Sequence, residues 1–126
     1  MYSQRLLDHF QNPRNSGTLQ PGGEGVVVVN AENPACGDRL RLSARIHNGA
    51  VAESRFQVQG CTAAIACGSA LTVWLQGREA ASLARLSPAE LAQAIEHEVG
   101  GLGDASRHAA ALSAEAVRLL CLRLGE

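Results

Sequence analysis

A chain of 126 residues with a formal net charge of −1 and 46% hydrophobic residues is sized for one domain around one core. Its arginines are scattered rather than clustered, which argues against a nucleic-acid footprint, and no apolar run approaches the ~18 residues of a membrane span. Aromatic residues make up only 3%, so the core has to be built from Ala, Val, Leu and Ile.

Residues 4–11 read as a short helix with Ser3 as N-cap, Leu6, Leu7 and Phe10 on one face, and Asn12-Pro13 as its stop. The mixture of Gln4, Arg5, Asp8 and His9 in this segment is not the apolar stretch of a secretory leader, so a cytoplasmic location is expected. His9 reads as a solvated surface histidine. Residues 16–25 are rich in Gly, Pro, Ser and Thr and read as loop, and the apolar run 26–29 reads as a strand.

The stretch from Asn33 to Trp74 organises the rest. Leu40, Leu42, Ala44 and Ile46 alternate with Arg39, Arg41, Ser43, Arg45 and His47, the period of a strand with one buried face. Asn48-Gly49 follows at once, the strongest short hairpin signal, because a type I′ turn needs positive φ at both central residues. The return strand, about 51–59, puts Phe56 and Val58 on one face. In an antiparallel hairpin the start of one strand lies beside the end of the other, so Cys36 and Cys61 should meet at one sheet end with Asp38 next to them. A disulfide is disfavoured by compartment. A carboxylate two residues after one thiol, with Gly37 and Gly60 beside the pair, suits a small shell closing on an ion; two buried core thiols are the alternative.

Residues 62–76 are rich in Ala and Leu and end at Gly77, a natural residue after a helix C-cap. Cys61 therefore stands at a helix N-terminus, where unpaired N–H groups and the positive end of the dipole favour a negatively charged sulfur. Cys67 points about 120° away from it on a 3.6-residue helix and reads as core filler. Ser87-Pro88-Ala89-Glu90 is a capping box with proline at the first helical position, which predicts a helix over 88–98 with Leu91 and Ile95 inward and His97 on the surface. Gly100-Gly101-Leu102-Gly103 breaks the chain before a last helix over about 105–124, where His108, Leu112, Leu119 and Arg123 share one side. By itself His108 reads as a core histidine rather than a ligand, and Cys121 as packing or half-exposed.

Taken together, Tyr2-Ser3, Asp8-His9, Asn12-Pro13-Arg14-Asn15, Pro34-Ala35-Cys36-Gly37-Asp38, Gly60-Cys61 and Ala64-Ile65-Ala66, with Trp74 and Gly77 beyond, resemble the IscU/NifU-type iron–sulfur cluster scaffold family across nearly the whole chain. The resemblance implies one α+β domain over residues 1–126: a three-stranded antiparallel sheet with helices packed on one face and the site at one sheet end. It carries the family's ligands over to Cys36, Asp38, Cys61 and His108. These would hold a labile [2Fe–2S] cluster or a zinc ion, since two thiolates, one carboxylate and one imidazole are a legitimate tetrahedral zinc set and a less secure cluster set.

Two departures stand out. The family's third cysteine, expected to accept persulfide sulfur, directly follows the histidine, and here that position is Ala109. The Leu-Pro-Pro-Val-Lys segment read by a specialised heat-shock chaperone is replaced by Leu102-Gly103-Asp104-Ala105-Ser106, which argues against docking to that chaperone. The resemblance implies a scaffold or carrier without turnover of its own, working with a cysteine desulfurase and recipient apoproteins. A zinc-dependent sulfur-transfer protein and a degenerate interaction module are the alternatives.

Overall fold

The structure, a computed structural model, describes residues 2–125. Helix α1 (Gln4–Gln11) is followed by strands β1 (Val26–Glu32), β2 (Arg39–His47) and β3 (Ala50–Gln59), then by helices α2 (Thr62–Leu75), α3 (Ala80–Ala84), α4 (Pro88–Glu98) and α5 (Arg107–Leu124). The three strands form one antiparallel sheet in the order β1-β2-β3. Asn48 and Gly49 turn the hairpin with φ of 52° and 77°, the pair of positive angles a type I′ turn needs.

Alternation decides which face is covered. Val29, Leu42 and Phe56 lie side by side across the three strands, as do Ala31, Leu40 and Val58, and this face packs into the core with α2 and α5. Two positions depart from the expected alternation. Ser43 is buried on the far face, because the loop before β1 crosses there and the Leu19 N–H donates to Ser43 Oγ at 2.9 Å. Ile46 is only half-buried, because the β2–β3 register shifts between Arg45 and Ile46.

Helix α2 is buried nearly all round, and its small residues let it approach the sheet closely. At Gly68 a Cβ would lie 2.5 Å from Phe56 Cδ2, closer than carbon atoms approach, so any larger residue would push α2 off β3. Helix α1 buries only Leu6; Phe10, expected on the same face, is exposed, since α1 lies on the outside of α2 with one residue turned fully inward. Ser3 caps α1, accepting from the Leu6 N–H, and its hydroxyl donates to the Val99 carbonyl. Helix α3 has no counterpart in the periodicity reading, being five residues long with Leu83 its one buried residue. The capping box of α4 is complete in both directions.

A polar cluster ties α1 and the following turn to α2. His9 Nδ1 lies 2.8 Å from Ser69 Oγ, which also accepts the Arg14 N–H at 2.9 Å. The Thr72 hydroxyl donates to Ser69 O at 2.7 Å and accepts from Asn15 Nδ2 at 3.1 Å. His9 is therefore half-buried and bonded, a correction to its surface reading, and burial, helped by the nearby Arg14 charge, holds its pKa below the usual 6.5. The same turn lays Asn15 to Gly17 along β3, where Asn15 O accepts the Phe56 N–H at 3.0 Å and the Gly17 N–H reaches Phe56 O at 2.9 Å. Part of the edge of β3 is thereby paired.

Candidate metal centre

The loop from Asn33 to Asp38 closes on itself. Asn33 Oδ1 accepts the Ala35 N–H at 3.0 Å, the Gly37 N–H reaches Asn33 O at 2.7 Å, and the Asn33 N–H reaches Asp38 O at 2.9 Å. Asparagine supplies the side-chain turn, and Gly37 the left-handed φ of 77° that brings the chain back into β2. Cys36 stands exposed on this loop, and Asp38 at its end is turned inward, 9% exposed. A Cβ on Gly60 would lie 2.7 Å from Asp38 Cγ, so the carboxylate occupies space that only a glycine at position 60 leaves open.

Cys61 is the N-cap of α2, with extended backbone at φ −74° and ψ 169°. Its side chain makes no capping bond, which leaves the sulfur directed to other partners. The Cys61 N–H points at Asp38 Oδ2 at 3.5 Å, and Cys61 Sγ lies 3.6 Å from His108 Nε2. His108, the second residue of α5, also approaches Asp38 Oδ2 at 3.7 Å, and its side chain is one-third exposed. The ligand atoms of Cys36, Asp38 and His108 all lie within 4.8 Å of one another. His108 is thus no satisfied core histidine: its ring groups with the Cys36 thiol and the Asp38 carboxylate, and Cys61 adjoins this group through the imidazole and its own N–H.

The nitrogen–oxygen separation is long for a hydrogen bond, the sulfur–nitrogen one lies within sulfur's hydrogen-bonding range, and both suit ligands around an ion. A sulfur at about 2.3 Å and a nitrogen at about 2.05 Å from a tetrahedral zinc are about 3.6 Å apart, and a nitrogen–oxygen pair about 3.4 Å apart. The observed 3.6 Å and 3.7 Å match the first and come close to the second. The donor set of soft sulfur, borderline nitrogen and one hard oxygen fits zinc, and fits an iron–sulfur unit less tightly.

The remaining cysteines stand apart. Cys67 is fully buried on α2, and burial pushes its thiol up to about 12, so it stays protonated and is no ligand. Cys121 is half-buried on α5, and burial raises its pKa as well. Ala109, beside His108, is 1% exposed. Before it, Asp104–Ser106 form a single 3₁₀ turn, so α5 begins at Arg107 rather than at 105.

The sequence profile described as "NifU-like N terminal domain" matches residues 1–120. The chain belongs to that family. Among its members, an Archaeoglobus fulgidus protein named iron-sulfur cluster assembly scaffold protein IscU 1 is 35% identical over 118 residues, spanning 94% of this chain and 72% of the relative. The Escherichia coli K12 scaffold protein IscU is 32% identical over 96 residues, 75% of each chain. A Bacillus subtilis protein named zinc-dependent sulfurtransferase SufU is 35% identical over 79 residues, which are 63% of this chain and 51% of that one. In fold, the chain resembles the crystal structure of a NifU-like N-terminal protein from Brucella abortus, with a TM-score of 0.73 at 20% identity over 96% of this chain and 91% of the other. The IscU/NifU resemblance and the α+β architecture are therefore shown, with the cysteine, aspartate and histidine cluster near one end of the sheet. Among the described residues no helix is long and apolar enough to cross a membrane.

Proposed function

We propose that this chain is an iron–sulfur cluster assembly scaffold or carrier whose site is Cys36, Asp38, Cys61 and His108. The observation that carries the reading is the spacing of these groups: three ligand atoms within 4.8 Å of one another, and Cys61 Sγ at 3.6 Å from the same imidazole. The relatives named as IscU scaffolds support the cluster reading, and the relative named zinc-dependent supports zinc as the alternative metal.

In this reading a [2Fe–2S] cluster is cargo, and a zinc ion is the resident alternative that keeps both thiols ionised. Cys36 and Cys61 supply the strong bonds, from an exposed loop and a helix N-cap respectively. His108 comes from a different element, so binding ties the loop before β2 to the first turn of α5. Asp38 is the weak ligand, a hard oxygen among softer donors, already placed by Gly60 and the Cys61 N–H. Its release is the step that frees the cluster for a recipient apoprotein. Sulfur would come from a cysteine desulfurase as the outer sulfur of its persulfide, passed to a thiolate of this chain with release of the desulfurase thiolate. Two electrons from a donor such as a reduced thiol pair or ferredoxin would convert it to sulfide. With alanine at 109, sulfur acceptance falls to Cys36, the exposed one of the two site thiols, and this is the observation that keeps the sulfur-transfer reading as the second one.

The test is anaerobic reconstitution with iron and sulfide, followed by transfer to an apo-ferredoxin. Charge-transfer absorption on this chain that decays as the acceptor's own spectrum rises supports the carrier. Retained zinc with no cluster formed and no transfer would favour the sulfur-transfer reading. Neither metal nor cluster bound would leave an interaction module.

A further inference from the structure

We infer that Glu96 is the positioning residue that holds His108 in the site, a role that rests on the reading of the metal centre above. The first turn of α5, which carries His108, has no side-chain cap: Ser106 stands at its N-cap in a helical conformation and bonds nothing there. The segment that leads into it contains Gly100, Gly101 and Gly103, the first two at φ of 77° and 102°, and only Leu102 buries its side chain. Three glycines in four residues make a segment that loses much conformational freedom when it is ordered. Something outside the segment has to fix it.

That anchor is the end of α4, where His97 O accepts the Gly100 N–H at 3.0 Å and Glu96 holds the residues beyond. Glu96 O accepts the Gly101 N–H at 2.9 Å, and Glu96 Oε1 accepts the Leu102 N–H at 3.3 Å. The same Oε1 lies 3.8 Å from Arg107 Nε, and Arg107 Nη1 reaches Asp104 Oδ1 at 3.1 Å. Glu96 therefore grips both ends of residues 101–107, and the next residue is His108. The two grips are unequal. The Glu96 side chain is 28% exposed, whereas that of Arg107 is 61% exposed, so solvent screens the ion pair and the bond to the Leu102 N–H is the stronger link. Glutamine keeps an acceptor for that N–H and loses only the weaker link.

The experiment measures zinc affinity by competition with a chromophoric chelator for wild type, E96A, E96Q, H108A and E96A/H108A, with amide exchange of residues 101–110 in the metal-free proteins. E96A should weaken zinc by about 10–100-fold, the range for residues that orient a metal ligand, and speed exchange of the Leu102 to His108 amides. E96Q should stay within about threefold of wild type, because the bond it loses is the exposed one. In the H108A background E96A should cost nothing further, since Glu96 acts only through that ring. Wild-type affinity in E96A, or an equal loss from E96A with and without His108, overturns the proposal. Wild-type affinity in H108A instead overturns the reading of the site, and the role of Glu96 falls with it.

Discussion

The molecule has two polar clusters along α2, one at its N-terminus and one past its middle, and they are built from different donors. Around Ser69 and Thr72, His9, Arg14 and Asn15 meet these partners at 2.7–3.3 Å, with Arg14 Nη1 buried beside them and unpartnered among the described residues. Around Cys61, the groups converge at 3.5–3.7 Å, and the Cys36 sulfur lies within 4.8 Å of the same carboxylate and imidazole. The first cluster fastens α1 and the β3 edge to α2 through hydroxyl, amide and imidazole groups. The second brings a thiol and a carboxylate to a partly exposed imidazole, the donor types that hold a metal ion. Donor type separates a structural polar network from a binding site even though each contains one histidine.

Substitutions should dissociate the two. Cys61→Ala should lower zinc affinity by more than about 100-fold, beyond the usual loss from an outer-shell change, with little change in melting temperature. Ser69→Ala should do the reverse. It strands the His9 ring nitrogen and the Arg14 N–H, costing roughly 1–3 kcal/mol of stability while zinc affinity stays at the wild-type value. Chemical denaturation and chelator competition on both variants decide whether the contrast holds.

Smaller effects sharpen it within the site. Asp38→Ala should lengthen cluster lifetime and slow transfer under anaerobic conditions, because the ligand removed is the one argued to release; faster loss than wild type would show that Asp38 holds the cargo. Ala109→Cys adds a small hydrophobic residue at a buried position next to His108, so it should fold, and it should raise cluster absorption per chain on reconstitution.

The smallest effect belongs to the other cluster. His9 has its pKa lowered on folding, so below pH 6.5 the unfolded chain takes up a proton that the folded chain resists. In metal-free protein this contribution to stability is complete above about 6.5 and is lost as pH falls through the lowered value. His9→Gln should flatten that limb in denaturation curves taken between pH 7 and 5.

Much of this was legible in the chain because it is encoded locally. Asn48-Gly49, the Ser87 capping box and the period-2 pattern of β2 each depend on neighbours within a few residues. The meeting of Asp38 and Cys61 at one sheet end was legible too, because hairpin pairing fixes which strand ends meet. His108 was ambiguous in itself, since its helix could have been docked with the ring inward or toward the sheet end; only the family motif singled it out. The bonding of His9 to Ser69 and the grip of Glu96 on residues 101–107 had no local signal, because both join residues whose proximity depends on how α1, α2, α4 and α5 pack. Ser43 was misread for the same reason: the loop carrying Leu19 crosses the sheet by tertiary packing rather than by any pattern in β2.

The central claim is that four side chains from three separate places in the chain form one metal site. X-ray absorption at the zinc edge on protein carrying about one zinc per chain tests it most directly. The account predicts two sulfur scatterers near 2.3 Å and two nitrogen or oxygen scatterers near 2.0–2.1 Å, with one sulfur lost in Cys36→Ser and one in Cys61→Ala. A first shell without sulfur, or one that both substitutions leave unchanged, would contradict it.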